Sequence, residues 1–293
     1  MTTKELSEEI FKRYGAVTRA RGYFLYTKKG VRLTDLFLED GRAILGWHTG
    51  SSFTQLKNIL SRGLTGSFRT EETFRLEKAI SELLKKDFCV FCFADKKSAL
   101  AAALKLSKDN SAVWKPFNTA IDYSKFDSVV LCPPFCWTNT IFLLAADKRL
   151  CAEALGTSVA AASTTMTALS PAVKVDKTEK ATLATFPIEL SGEIKLPFAL
   201  EGGITRSIYD YIAEAKLREE KDWFIYDTFL NPYFTRTGCY LTPKVPQEKY
   251  DDFVLYCLDK HFVINPHFEG QSFVPYKVDK GNFTAIKNSP FKY

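Results

Sequence analysis

Apolar residues recur at three- and four-residue intervals in residues 3–14, where Leu6, Ile10, Phe11 and Tyr14 are read as one face. This spacing predicts an amphipathic helix. Thr2 and Glu5 stand at capping-box separation and Gly15 offers a stop. The period then shortens. GYFLY (22–26), a Lys28-Lys29-Gly30 turn and VRLTDLFL (31–38) predict a β-hairpin, with a short further strand expected over 43–48. Helical spacing returns over 71–86: Leu76, Ile80, Leu83 and Leu84 face inward, acids open the segment and Lys85 and Lys86 close it, as the helix dipole favours. The unbroken apolar run Phe88–Phe93 predicts a strand buried on both faces. Asp95 is the natural N-cap of a helix over about 96–108, with Ala99, Leu100, Ala103 and Leu104 as its packed side.

Farther along, buried strands are expected at 127–132, ended by Pro133-Pro134, and at 140–145. Residues 152–172 are rich in Ala, Thr and Ser and lack Gly and Pro between 157 and 170, which predicts a helix of small residues rather than disorder. Helices are expected over 204–217 and from Pro246 to about 260, and strands near 261–264 and 272–276. Helix, buried strand and helix in succession predict an α/β layered fold.

The length of 293 residues is enough for two lobes around a sizeable core, and 24 Phe and 13 Tyr predict a core rich in rings. The net charge of +6 is uneven: residues 1–33 carry eight basic side chains against three acidic ones. They are scattered, with no run longer than two, so a solvated surface is expected rather than a nucleic-acid site. Charges among the first ten residues exclude a secretory signal there, and no apolar run approaches a membrane span. Seven cysteines without a framework suit free thiols and a cytoplasmic setting.

Cys89-x-x-Cys92 and Cys132-x-x-x-Cys136 have the look of metal-ligand pairs, but Cys89 and Cys92 lie in a strand, where residues three apart face opposite sides. Buried structural thiols are expected, with no metal. A nucleophilic role for Cys132 or Cys136 would need a base such as His48. His261 and His267 flank a short strand and are expected at the surface. Gly202-Gly203 lacks the longer phosphate-binding fingerprint and is read as a hinge or N-cap.

Three segments, residues 22–48, 91–107 and 250–275, resemble class III aminotransferases, a branch of the fold type I pyridoxal-phosphate enzymes. Leu33, Asp35, Leu45, Gly46 and His48 match the family's hairpin and Leu-Gly-His signature, with Trp47 inserted before the histidine. FCFADKKSALAAALKLS is similar to the family's strand, phosphate turn and helix. YDDFVLYCLDKHFVINPHFEGQSFVP is similar to its C-terminal helix and strand.

The resemblance implies a reduced three-layer large domain over 56–199 and a small α/β domain built from 1–55 and 200–293. It also implies a homodimer, whose ring-rich hairpin (Tyr23, Phe24, Tyr26, Phe37) would otherwise expose apolar surface. It implies a site for pyridoxal 5'-phosphate as well, and there the chain departs from the pattern. The phosphate turn reads Asp95, Lys96, Lys97, Ser98. The family's "PDxxxxxK" strand is matched by FDSVVLCPPF, which puts Pro133 at the lysine position, and no lysine lies between 126 and 147. No arginine follows Arg236 to grip a substrate carboxylate. The chain is therefore expected to use no cofactor, to have no catalytic residues of that kind, and to bind a ligand or partner. The expected ligand is a small acidic metabolite held by Lys96 or Lys97, in a cleft lined by parts of 46–50, 94–98 and 132–138, with Trp47, His48, Phe135 and Trp137 as lining candidates. The alternative is an active pyridoxal-phosphate enzyme that uses another lysine, such as Lys174 or Lys195.

Overall fold

The structure, a computed structural model, describes residues 1–48, 50–66, 70–107, 110–137, 139–153 and 190–293. Helix α1 spans Thr3–Tyr14, and its capping box is formed: Thr2 Oγ1 accepts from the Glu5 N–H and the Glu5 carboxylate accepts from the Thr2 N–H. Leu6 and Ile10 are buried, but Phe11, expected on the same face, lies one residue around the helix and is 66% exposed. Strands β1 (Val17–Arg21), β2 (Phe24–Thr27) and β3 (Arg32–Asp35) follow as a meander. No strand forms over 43–48. Turns fill this stretch, and only Trp47 pairs, with Gly22.

Helices α2 (Ser52–Ser61) and α3 (Glu72–Leu84) lead into β4 (Phe88–Phe93), α4 (Lys96–Ser107), β5 (Ser111–Val113), β6 (Ser128–Leu131) and β7 (Phe142–Asp147). Their sheet has the order β4-β7-β6-β5. Strands β4, β5 and β6 run one way and β7 runs against them. Alternation along β4 divides the core as predicted. Cys89, Phe91 and Phe93 join the α4 side with Ala99, Ala102 and Ala103, while Phe88 and Cys92 join the α3 side with Leu76, Ala79 and Ile80. Cys89 and Cys92 thus serve opposite faces. Leu104 lies outside the narrow alanine strip that brings α4 close to the sheet, and it is exposed.

Helix α5 (Phe198–Ala215) begins six residues before the predicted start at 204. Gly202 and Gly203 are therefore not a hinge but interior helix positions, where α5 crosses α2 and α3. A Cβ on Gly202 would lie 2.1 Å from Ile59 Cδ1 and 3.0 Å from the Glu72 carboxylate, and one on Gly203 would lie 3.1 Å from the Phe135 ring. The helix tolerates glycine here because the close approach buries its neighbours. Gly202→Leu is accordingly expected to lower stability by about 1–3 kcal/mol through overpacking, read as a lower urea midpoint at unchanged slope.

The chain continues through α6 (Lys221–Phe224), α7 (Asp227–Leu230), β8 (Phe234–Thr237), β9 (Tyr240–Pro243), α8 (Tyr250–Asp259), β10 (Phe262–Val263), β11 (Ser272–Phe273) and α9 (Thr284–Asn288). The two chain ends meet: β10 pairs in parallel with β3, giving the order β1-β2-β3-β10, and α1 is tied to α8 by Arg13–Asp259 and by Tyr14 Oη donating to the Leu258 carbonyl. Strands β11, β9 and β8 form a third, antiparallel sheet. Tyr23 and Phe37, expected to need a partner's cover, are buried in the chain's own core. The predicted small-residue helix of 152–172 falls, beyond its first two residues, outside the described residues, as does Lys174.

Candidate functional site

Parallel strands end together at one sheet edge, and loops leaving that edge are free to carry polar groups. Here the ends of β4, β5 and β6 and the start of β7 open into a cavity of about 590 Å³. Trp114, Val130 and Phe142 form its apolar wall on the sheet side. Tyr240 and Phe273, from β9 and β11, face them from the third sheet. The volume lies within the ~300–1,000 Å³ usual for small-molecule sites. Arg42, Lys96 and Lys115 supply positive charge; Asp40, Asp95 and Glu269 supply negative charge.

Several of these groups are already engaged. Asp95 accepts from the Ser98 N–H (2.8 Å) and from Ser98 Oγ (2.8 Å), so it caps α4 as predicted. The Ser98 N–H, chief among these contacts, holds its carboxyl below the usual carboxylate range. Arg42 donates to the Trp137 carbonyl (2.7 Å) and to the Glu39 carboxylate (2.8 Å), and Asp40 accepts from the Asn265 amide (2.9 Å). Lys96 and Lys115 have no salt-bridge partner among the described residues. Burial pushes the Cys132 thiol up to about 11, against the pull of Arg42, and the Cys136 thiol up to about 12. Both are therefore neutral at pH 7 and poor nucleophiles.

The turn carrying Asp40 and Arg42 is unusual. Leu38, Glu39 and Asp40 have φ of 48°, 52° and 55°, followed by Gly41 at 86°. A left-handed run of this kind is costly for residues with a side chain and persists only when it is held. Asp35 holds it. Its Oδ1 accepts from the Phe37 and Leu38 N–H groups (2.9 and 3.0 Å), and its Oδ2 accepts from the Trp47 indole (2.6 Å). Gly41 also lacks room for a side chain, since a Cβ would lie 2.8 Å from the Phe273 ring.

The residues singled out from the sequence are divided between places. Asp95 and Lys96 line the cavity, with Ala94 and Cys132; Lys97 and Ser98 do not. Trp47 and His48 line a separate open concavity with Arg19, Arg21, Phe53 and Cys136. Phe135 turns into the core, stacked on Phe53 at 5.2 Å and against Gly203. Trp137 stacks outside Phe135 and is 36% exposed. Pro133 follows β6 in the connection to β7, and Lys195 is exposed and lies outside the cavity lining.

No family model matches the chain. An uncharacterized protein of Treponema pallidum (strain Nichols) is 27% identical over 281 residues, 91% of each chain. Among solved structures, the ornithine aminotransferase of Plasmodium yoelii superposes with a TM-score of 0.57 at 13% identity, covering 98% of this chain and 97% of its own. Acetylornithine aminotransferase from Elizabethkingia anophelis gives 0.56 at 12% identity, covering 98% of each. An omega-transaminase from Sphaerobacter thermophilus gives 0.58 at 9%, covering 98% and 96%. The chain has the aminotransferase fold. On that fold, sequence reasoning found the α4 turn but missed the cavity's opposite wall, Tyr240 and Phe273, and the basic residue Lys115. The Asp40-Gly41 turn dipeptide was the available signal for the loop that carries Arg42.

Proposed function

We propose that this chain uses the aminotransferase fold to bind a small acidic metabolite, without pyridoxal-phosphate chemistry. At the positions that the family resemblance assigns to it, the residues present do not fit that cofactor. An imine needs a lysine amine and proline has none to offer. The β6–β7 connection contains Pro133 and no lysine from 126 to 147. The N–H groups at the start of α4, which could receive a phosphate, face the carboxylate of Asp95 instead.

The observation that carries the reading is the pair of ammonium groups, Lys96 and Lys115, in a cavity whose helix end is already capped. Neither has a salt-bridge partner among the described residues, and they outnumber Glu269, the one lining carboxylate with no hydrogen bond or ion pair there. Two cations at the rim of an aromatic-walled cavity suit a small dicarboxylate or keto acid. Calorimetric titration with a panel of such acids tests this. Binding is expected for at least one of them, weakened roughly ten- to hundredfold in a Lys96→Ala/Lys115→Ala variant. Binding that the double substitution leaves unchanged would remove the cavity from the account.

A further inference from the structure

The concavity beside Trp47 belongs to a different feature, the free edge of the N-terminal sheet. Strand β1 is the first in the order β1-β2-β3-β10, so among the described residues only β2 pairs with it. Four of its five residues are exposed. An open edge presents unpaired N–H and C=O groups that can accept another strand. Trp47 occupies the slot at one end, pairing with Gly22 through Gly22 N–H to Trp47 O (2.9 Å) and Trp47 N–H to Gly22 O (2.6 Å). His48, which follows, takes a left-handed φ of 52°. Among the described residues, no backbone continues that line past Arg21, Ala20 and Arg19.

The slot has a charge and a floor. Arg19, Ala20, Arg21, Trp47, His48, Phe53 and Cys136 line it, with two guanidiniums and no carboxylate. Arg19 and Arg21 are two apart on a strand and therefore share a face. Arg19 lies over the Tyr26 ring at 5.5 Å, and Arg21 has no salt-bridge partner among the described residues.

We propose that the outer edge of β1 is a docking site for an extended acidic segment of another protein. The segment would add as a fifth strand continuing the line Trp47 begins, with alternate carboxylates facing Arg19 and Arg21. Strand addition supplies affinity through main-chain hydrogen bonds and specificity through alternate side chains. A second copy of this chain is the poorer occupant, because a two-fold pairing of β1 with itself sets arginines against arginines.

Fluorescence anisotropy with a labelled peptide of alternating glutamate and valine tests the proposal. Saturable binding is expected, absent for the matching lysine–valine peptide and for the glutamate–valine peptide with every backbone amide N-methylated. An Arg19→Glu/Arg21→Glu variant, altered only at exposed positions, should bind roughly tenfold more weakly or worse. No saturable binding of the acidic peptide overturns the proposal. Equal binding of the N-methylated peptide also overturns it, because charge alone would then suffice. Sedimentation that finds a dimer dissolved by the double substitution assigns the edge to a second copy and overturns it likewise.

Discussion

Arg218→Ala is expected to destabilise the protein by about 2–5 kcal/mol, the range for truncating a large buried side chain and leaving a cavity. The Arg218 side chain is nearly inaccessible, at 3%. Its guanidinium carbon lies 4.7 Å from the Phe117 ring centroid and 4.3 Å from that of Tyr276, between the two. Nη1 donates to Tyr23 Oη (3.1 Å) and to the Ile44 carbonyl (3.3 Å), and Nε to Glu214 (3.4 Å). One side chain therefore ties the N-terminal meander, the end of α5 and the C-terminal segment together. Truncation leaves the buried Tyr23 hydroxyl and Ile44 carbonyl only the bond they make to each other (3.0 Å) and opens a space between two rings. Arg218→Lys should recover only part of the loss, since an ammonium keeps the charge but not the planar fork that lies between the rings. Urea unfolding of the three proteins gives the comparison, and a loss below about 1 kcal/mol for the alanine variant would refute this role.

The second large effect is a pH dependence that runs through Asp35. This carboxyl is buried, and burial raises it from 3.8 to about 6 despite the hydrogen bonds from Leu38, Trp47 and Phe37. A folded-state value above the unfolded one means that the folded protein holds the proton more tightly. The stability from this group is thus fully present below about pH 4 and lost as pH rises through about 6. The shift corresponds to about 3 kcal/mol. Asp147 works in the opposite sense: hydrogen bonding from Arg149 lowers its carboxyl, so its contribution disappears in acid. Asp35→Asn isolates the first effect. Oδ1 can still accept from Phe37 and Leu38, while the titration is gone. Wild type should lose about 2–2.5 kcal/mol relative to the variant between pH 4 and pH 7. Parallel stability profiles for the two proteins would refute the assignment. The consequence reaches the cavity, because Asp35 holds the left-handed turn that presents Asp40 and Arg42.

What the sequence disclosed follows from the range of the interactions involved. Helix α1 with its capping box, the meander, the two-faced burial of β4 and the Asp95 cap all depend on residues within about one turn or one strand of each other. The aminotransferase-like α/β fold was likewise legible, from the order of three short segments. The failures are tertiary. Gly202-Gly203 looked like punctuation because glycine is a poor helix residue, yet close packing against Ile59 and Glu72 favours it there. The gap this leaves receives Phe135, which sequence reasoning had assigned to the cleft. Strand β5 has only three small residues and carries no periodic signal. The cavity's far wall comes from residues 240 and 273, more than a hundred positions from the α4 turn, and no local pattern links them.

The central claim, that this aminotransferase fold works without a covalent cofactor, rests on a connection with Pro133 and no lysine. The direct measurement is to incubate the pure protein with excess pyridoxal 5'-phosphate, record the visible spectrum, reduce with borohydride and map the peptides by mass spectrometry. The account predicts no stoichiometric aldimine absorbance and only scattered, substoichiometric labelling of surface lysines. A stoichiometric adduct on one lysine, whether Lys96, Lys115, Lys174 or Lys195, abolished by substituting that lysine alone, would contradict it.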